Sequence, residues 1–419
     1  MKRALIYAQD TQGLGNHRRM LAVANYLLDT FEGLSILLVS GSPTVQPFRT
    51  RERLDYVKLP CLRRTERDGY VSRFLESDVM SFVHIRSEMI DAALHHFRPD
   101  LVLVDEKPYG INNELALPLQ DYKLMNPTAR LALVLRDILG DPDAVHSSWT
   151  TDGSFDAIAA LYDTVLVLGS TAVFDVRTEY QFPSPVAEKV RYCGYLYKEL
   201  GPRTRGEVRA ELKVTEKERL VLVTAGGGED GYDLLSAYIK GIKGLPDKLR
   251  VRSLIVTGPD MPKAQQETLI ELGAGCDWVS FMEFTDDLTA YMAAADLVVS
   301  MCGYNTVCKL LSLKKRAIVV PRVEPVQEQV IRAERLAPFG YVSVMYPDDL
   351  EPRNLAHAVL AELVSEALEP HALSSCVELD GYDRLGFCVS SLFGVKASES
   401  PAVSHVSPSR APFEGTSFA

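Results

Sequence analysis

Several features that would settle a function at once are missing from this sequence. No run approaches the roughly 18 apolar residues that a membrane-crossing helix needs. The phosphate loop GxxxxGK[ST] is absent, which excludes a P-loop nucleotidase. Basic charge is not in excess: 45 Lys and Arg against 56 Asp and Glu leave a net charge of -11, which argues against generic nucleic-acid binding. A local basic pocket, or a membrane-contacting face on one domain, stays compatible with that balance. The seven cysteines are odd in number and contain no CxxC, so reduced thiols in a cytoplasmic protein are the expectation. The opening MKRALIYAQDTQGLG holds only the short apolar run Ala4 to Ala8. That is too short for a signal-peptide core and reads as a first strand.

What is present is an alternation. A chain of 419 residues, 47% hydrophobic and 24% charged, is a globular protein too long for one core. Apolar runs at Ala4–Ala8, Ser35–Val39, Leu101–Val104, Leu131–Leu135 and Thr164–Leu168 read as buried parallel strands. The pattern restarts with Leu220–Thr224, Arg252–Val256, Trp278–Phe281, Leu297–Ser300, Ala317–Val320 and Tyr341–Met345. Helix-period segments such as Asn16–Thr30, Gly231–Lys243, Thr285–Ala294 and Glu328–Ala337 lie between them. The fold class is therefore α/β, two Rossmann-like doubly wound domains facing across a cleft. The divisions are 1–193 for the first domain, 194–205 for a linker and 206–397 for the second domain. The Ser/Pro-rich segment 398–419 reads as a disordered tail.

Glycine turns mark the ends of three strands. Gly226-Gly227-Gly228 follows Leu220–Thr224 and precedes a helix, where free backbone N–H groups favour an anion. Gly303, Asn305 and Thr306 repeat that arrangement after Leu297–Ser300. Two such helix starts in one domain are suited to flank a diphosphate. In the first domain, Gly13 and Gly15 sit in GLGNHRR, which lacks the third glycine of a dinucleotide fingerprint.

GLGNHRR, VTAGGGEDG, FMEFTDDLTAYMAAADLVVSMCGYNTVCKLL and AIVVPRVEPVQEQVIRAERL together resemble GT-B glycosyltransferases. The resemblance covers roughly residues 1 to 365. It points to the cytoplasmic branch with a family 28-type C-terminal domain, typified by the GlcNAc-transferase that completes the lipid-linked peptidoglycan precursor, and to a bacterial group of predicted glycosyltransferases. It implies a donor, an NDP-sugar and most simply a UDP-sugar, on the second domain and a hydroxyl acceptor on the first. Gly227, Gly228 and Thr306 would then meet the diphosphate beside Gly303 and Asn305. Phe284 and Thr285 would meet the nucleobase, Gln329 the sugar, and Glu328 a sugar hydroxyl.

On the first domain, Gly13, Gly15, Asn16, Arg18, Asp105, Glu106 and Arg136 are candidate acceptor contacts. Asp137 stands first as the general base and His17 second. Two departures are visible. Lys309 stands where relatives carry a ribose-binding Glu, and a lysine accepts no hydrogen bond. Asn16 stands where relatives commonly carry His. Retaining relatives carry two glutamates where this chain has Met301 and Lys309, so an inverting transfer is implied, with no metal and no cofactor. The acceptor is open, a lipid-linked sugar among others, with peripheral membrane contact compatible. A nucleotide-sugar 2-epimerase of the same fold and a non-catalytic relative are the rival readings.

Overall fold

A computed structural model describes residues 2–9, 15–42, 51–65, 69–76, 78–196, 201–246, 251–365 and 377–395. Gly13, residues 197–200 of the expected linker and the expected tail 398–419 lie outside them.

The apolar runs become strands because both of their faces are covered. In the first domain β1 (Arg3–Ala8), β2 (Ser35–Ser40), β3 (Leu54–Lys58), β6 (Leu101–Asp105), β7 (Arg130–Arg136), β8 (Thr164–Leu168) and β9 (Val190–Tyr192) form one sheet, ordered β3-β2-β1-β6-β7-β8-β9. All its neighbours are parallel. A small antiparallel pair, β4 (Leu62–Arg64) and β5 (Tyr70–Ser72), stands apart. In the second domain β10 (Leu220–Thr224), β11 (Arg252–Val256), β12 (Val279–Met282), β13 (Leu297–Ser300), β14 (Ala317–Val319) and β15 (Val342–Val344) form a parallel sheet ordered β12-β11-β10-β13-β14-β15.

Each sheet reverses its strand order once, between β1 and β6 and between β10 and β13. Connections leave such a pair in opposite directions, so a crevice opens beyond the carboxyl ends of the two strands. Those crevices position everything that follows.

Every strand expected from the apolar runs is present. The additional ones, β3, β4, β5 and β9, are short, and β3 and β9 are edge strands carrying Asp, Lys and Arg. One side of an edge strand faces water, so its sequence need not be an apolar run.

The chain leaves the first sheet after Tyr192 and enters the second domain at helix Arg205–Glu211. Thr204 and Glu207 cap that helix reciprocally in a capping box. Near its far end the chain turns back. Helix Gly381–Phe393, expected within the second domain, packs on the first: Tyr382 stacks on Tyr26 at 4.8 Å and Phe393 meets Phe31 edge-on at 5.5 Å. A Cβ at Gly386 would come within 2.7 Å of the Tyr26 hydroxyl, so the bare glycine permits this close approach. Aromatic residues on one helical face outweigh closeness in sequence here.

Candidate active site

At the second crevice, β10 and β13 lie side by side with Thr224 opposite Ser300, so the glycine turns that follow them are neighbours. Gly228 has φ of +102°, and a Cβ there would lie 2.4 Å from the Thr257 carbonyl oxygen. This turn is packed backbone against backbone on the turn after β11, with the Asp260 amide donating to Gly227 O at 2.8 Å. Helices Tyr232–Lys243 and Tyr304–Ser312 both begin at the crevice, behind Gly231 and Gly303, and neither start has a side-chain cap. Among the described residues, nothing lies within 4 Å of a Cβ built on Gly303. Two uncapped helix starts beside open space favour a polyanion.

The other donor-side residues divide. Phe284 is 44% exposed and free of the core, while Thr285 accepts from the Asp287 amide at 3.1 Å and fixes the turn behind it. Thr306 lies buried in the first turn of its helix, with Lys309 half-buried one turn further on. The Gln329 carbonyl oxygen accepts from the amides of Cys302 at 3.1 Å and Arg322 at 3.2 Å, bracing the ends of β13 and β14. Asn305, assigned to the donor side, reaches across the cleft and donates to Gly15 O at 2.9 Å.

At the first crevice the chemistry is ionic. Arg19 and Asp105, both fully buried, pair at 2.7 Å. Burial nonetheless pushes the Asp105 carboxyl up to about 6, with the neighbouring Glu106 charge adding to it against Arg19. Burial acts the same way on Glu106, but Arg136, Arg19, Lys107 and Arg64 outweigh it and hold that carboxyl below its usual range. Glu106 sits at φ +64°, keeps 17% of its side chain exposed, and accepts weakly from Asn16 Nδ2 at 3.4 Å. His17 is buried, and burial together with Arg18 brings its pKa down to about 4. The Arg18 guanidinium lies 5.0 Å from the centre of the Phe284 ring, a cation–π contact across the cleft.

The candidate base Asp137 is placed differently from its expected role. It is 1% exposed and forms a bidentate pair with Arg332 of the second domain, Nε to Oδ2 at 2.9 Å and Nη2 to Oδ1 at 2.8 Å. The Ile138 amide donates to Oδ1 at 2.8 Å, and the Tyr195 hydroxyl donates to Oδ2 at 2.9 Å. Both oxygens are occupied by donors, which is the geometry of an anchor rather than of a proton acceptor. Beside it, Arg136 pairs with Glu328 at 2.5 Å. Glu328, expected at a sugar hydroxyl, is 4% exposed and also pairs with Arg322 at 3.2 Å. The dipeptide Arg136–Asp137 thus meets Glu328 and Arg332, one helical turn apart, with reciprocal charges.

Arg332 and Tyr195 escaped the sequence reading. A signal for Arg332 existed: helix Glu328–Leu336 buries Glu328, Gln329, Arg332, Ala333 and Leu336, so its inward stripe carries charges. Charges on a buried stripe require partners.

Comparison with known proteins fits this geometry. Residues 220–382 match the model described as glycosyltransferase family 28 C-terminal domain. That stretch lies within the second domain, which is similar to the C-terminal domain of that family. A UDP-N-acetylglucosamine--N-acetylmuramyl-(pentapeptide) pyrophosphoryl-undecaprenol N-acetylglucosamine transferase of Haemophilus influenzae is 27% identical over 150 residues, 36% of this chain and 41% of that protein. The chain therefore spans less than half the length of that relative. Among solved structures, the calicheamicin glycosyltransferase CalG4 superposes with a TM-score of 0.62 at 14% identity, covering 95% of this chain and 100% of that one. The UDP-GlcNAc 2-epimerase of Methanocaldococcus jannaschii superposes at 0.59 with 12% identity, covering 93% and 100%. At such identities the superpositions establish the fold alone, and that fold is GT-B.

Proposed function

We propose that this protein transfers a sugar from a UDP-sugar to a hydroxyl acceptor, with inversion and within the cleft between its two domains. One observation carries the reading: two helix starts without side-chain caps follow adjacent strands, β10 and β13, on the side of the second domain from which Asn305 reaches Gly15 of the first. The donor diphosphate would lie at Gly227, Gly228, Gly303 and Thr306, and the nucleobase against Phe284. Helix dipoles and Lys309 would stabilise the charge that grows on the departing diphosphate.

Inversion needs one base on the acceptor hydroxyl. With Asp137 held by Arg332, that role passes to the carboxylates ending β6. Glu106 has access to the cleft, and Asp105 orients Arg19 beneath it. A lipid-linked acceptor fits the surface near that crevice. Val71, Phe74, Leu75, Met80 and Ile85 expose apolar side chains, Phe74 by 68%, on a segment that also carries Arg63, Arg64 and Arg73. Apolar side chains among arginines suit an anionic membrane surface.

Isothermal titration with UDP and UDP-N-acetylglucosamine tests the reading, and saturable binding that Gly303→Asp abolishes is the expected result. No heat from either ligand sinks it. The epimerase reading, favoured by the shared fold, is separated by incubating a UDP-sugar without acceptor. A new epimeric UDP-sugar in that mixture replaces transfer by epimerisation.

A further inference from the structure

Arg332 touches both halves of the molecule. It is fully buried, and its N–H groups go to specific oxygens on either side of the cleft. Nε and Nη2 hold Asp137 of the first domain, Nη2 leans on Ile138 O at 3.4 Å, and Nη1 donates to Cys302 O at 3.0 Å. Its guanidinium carbon lies 5.9 Å from the centre of the Tyr304 ring. Cys302 and Tyr304 flank Gly303, the residue that opens helix Tyr304–Ser312. The Cys302 amide is held from the same helix as Arg332, by Gln329 Oε1 at 3.1 Å. Both backbone polar groups of the residue before the glycine are therefore fixed by helix Glu328–Leu336, and Asp137 fixes the arginine that does half of that.

A buried ion pair is a poor device for stability alone, because apolar side chains of equal volume often serve as well or better. What apolar side chains cannot do is tie a carbonyl in one domain to a carboxylate in the other. A guanidinium fork can, because its donors point in fixed, divergent directions.

We propose that Arg332, anchored by Asp137, is a positioning residue for the donor diphosphate. It holds the Cys302–Gly303 turn, and so the start of helix Tyr304–Ser312, in register with the first domain. This rests on the glycosyltransferase reading of that turn. Removing Arg332 alone would leave the Asp137 charge buried and unpaired, so the proposal is read from nucleotide binding in variants that avoid that.

The test uses the full chain in three forms: wild type, Arg332→Lys, and the double variant Asp137→Asn with Arg332→Met. Lysine keeps a charge for Asp137 but has no fork to reach Cys302 O. The double variant removes both charges together, so no unpaired ion stays buried. Two quantities are read, amide hydrogen exchange over residues 300–307 without ligand and UDP affinity by calorimetry. Both variants are expected to exchange roughly 10-fold faster in that segment and to bind UDP roughly 10-fold more weakly, the scale of one charge-assisted hydrogen bond. The double variant should melt within a few degrees of wild type. Wild-type exchange and affinity in both variants overturn the proposal, and so does faster exchange with unchanged UDP affinity. If the double variant does not fold, Arg332→Lys decides by the same two readings. If wild type itself binds no UDP while exchange rises in the variants, the tether stands and its assignment to a diphosphate falls with the donor-site reading.

Discussion

At the first crevice Arg18, Arg19, Arg136, Asp105, Glu106 and Asp137 crowd the ends of β6 and β7 and the helix that follows β1. At the second crevice the ends of β10 and β13 carry glycines and two uncapped helix starts, and the recognition groups on offer are backbone N–H groups. The sheets are alike, so under the proposed transfer the difference lies in what each crevice would meet. A diphosphate brings its own full charge and needs fixed dipoles close to it, which a side chain would obstruct. A hydroxyl acceptor is neutral and must be deprotonated, which needs ionisable groups whose charges are already arranged. Backbone conformation limits one site and charge balance limits the other.

The comparison breaks most visibly at Gly228. Alanine there must adopt φ of +102° and place its Cβ 2.4 Å from the Thr257 carbonyl. Backbone strain of this kind costs about 1–3 kcal/mol before any clash is relieved. Gly228→Ala is expected to lower the melting temperature by roughly 3–10 °C and to weaken UDP binding roughly 10-fold or more, read by calorimetry. Gly303→Ala is its partner: φ is −69° and the added methyl meets none of the described residues within 4 Å. That variant should melt like wild type, and any loss of UDP affinity then reports the anion site alone. Equal melting losses in the two variants would mean that the Gly303 turn is as tightly packed as the Gly228 turn.

At the ionic crevice the sharper instrument is pH. Glu106→Gln keeps the shape and removes the proton acceptor, so turnover should fall roughly 100-fold while UDP affinity is unchanged. A base must be ionised to act, so activity is lost as pH falls through its folded pKa. Glu106 is held below the ordinary glutamate range, so with Glu106 as base the acid limb lies below that range. Asp105 is raised to about 6, so a limb near pH 6 would transfer the role to Asp105. His17, brought down to about 4, bears on stability instead. The unfolded chain protonates this residue near 6.5 and the folded chain only near 4, so its contribution to stability is lost as pH falls through that window. His17→Gln should flatten that loss in thermal melts between those two pH values.

The same contrast explains what was legible beforehand. Strands such as Leu220–Thr224 and Thr164–Leu168 are buried on both faces and announce themselves as apolar runs. The glycine turns were legible because only glycine tolerates their conformation or leaves a helix start open. Asp137 was read as a base, whereas its pairing with Arg332 could not be read, because that partner lies 195 positions along the chain and nothing local distinguishes an anchor from a base. Arg332 was hidden for the same reason. The return of helix Gly381–Phe393 to the first domain depends on Tyr26 and Phe31, and a pattern read along one segment carries no trace of either.

Lys309 gives the smallest expected effect and the finest test of the contrast, because it is a charged side chain one turn beyond the backbone anion site proposed at Gly303. It lies three residues after Thr306, on the same face of helix Tyr304–Ser312 and in that helix's last turn. A lysine there cannot accept the ribose hydroxyls that a glutamate would, and on the proposed reading its charge would act on the diphosphate instead. That charge matters most when negative charge accumulates on the leaving group, more than in the ground-state complex. Lys309→Ala should therefore lower turnover roughly 3- to 10-fold at saturating donor, with UDP-sugar affinity changed less than about 2-fold. Lys309→Glu separates the two readings by sign. Repulsion from a diphosphate weakens UDP binding, whereas a restored ribose bond strengthens it by roughly 10-fold or more. Tighter binding by Lys309→Glu would show that the lysine replaces a ribose contact without serving the phosphate, and the second crevice would then recognise its anion through backbone alone.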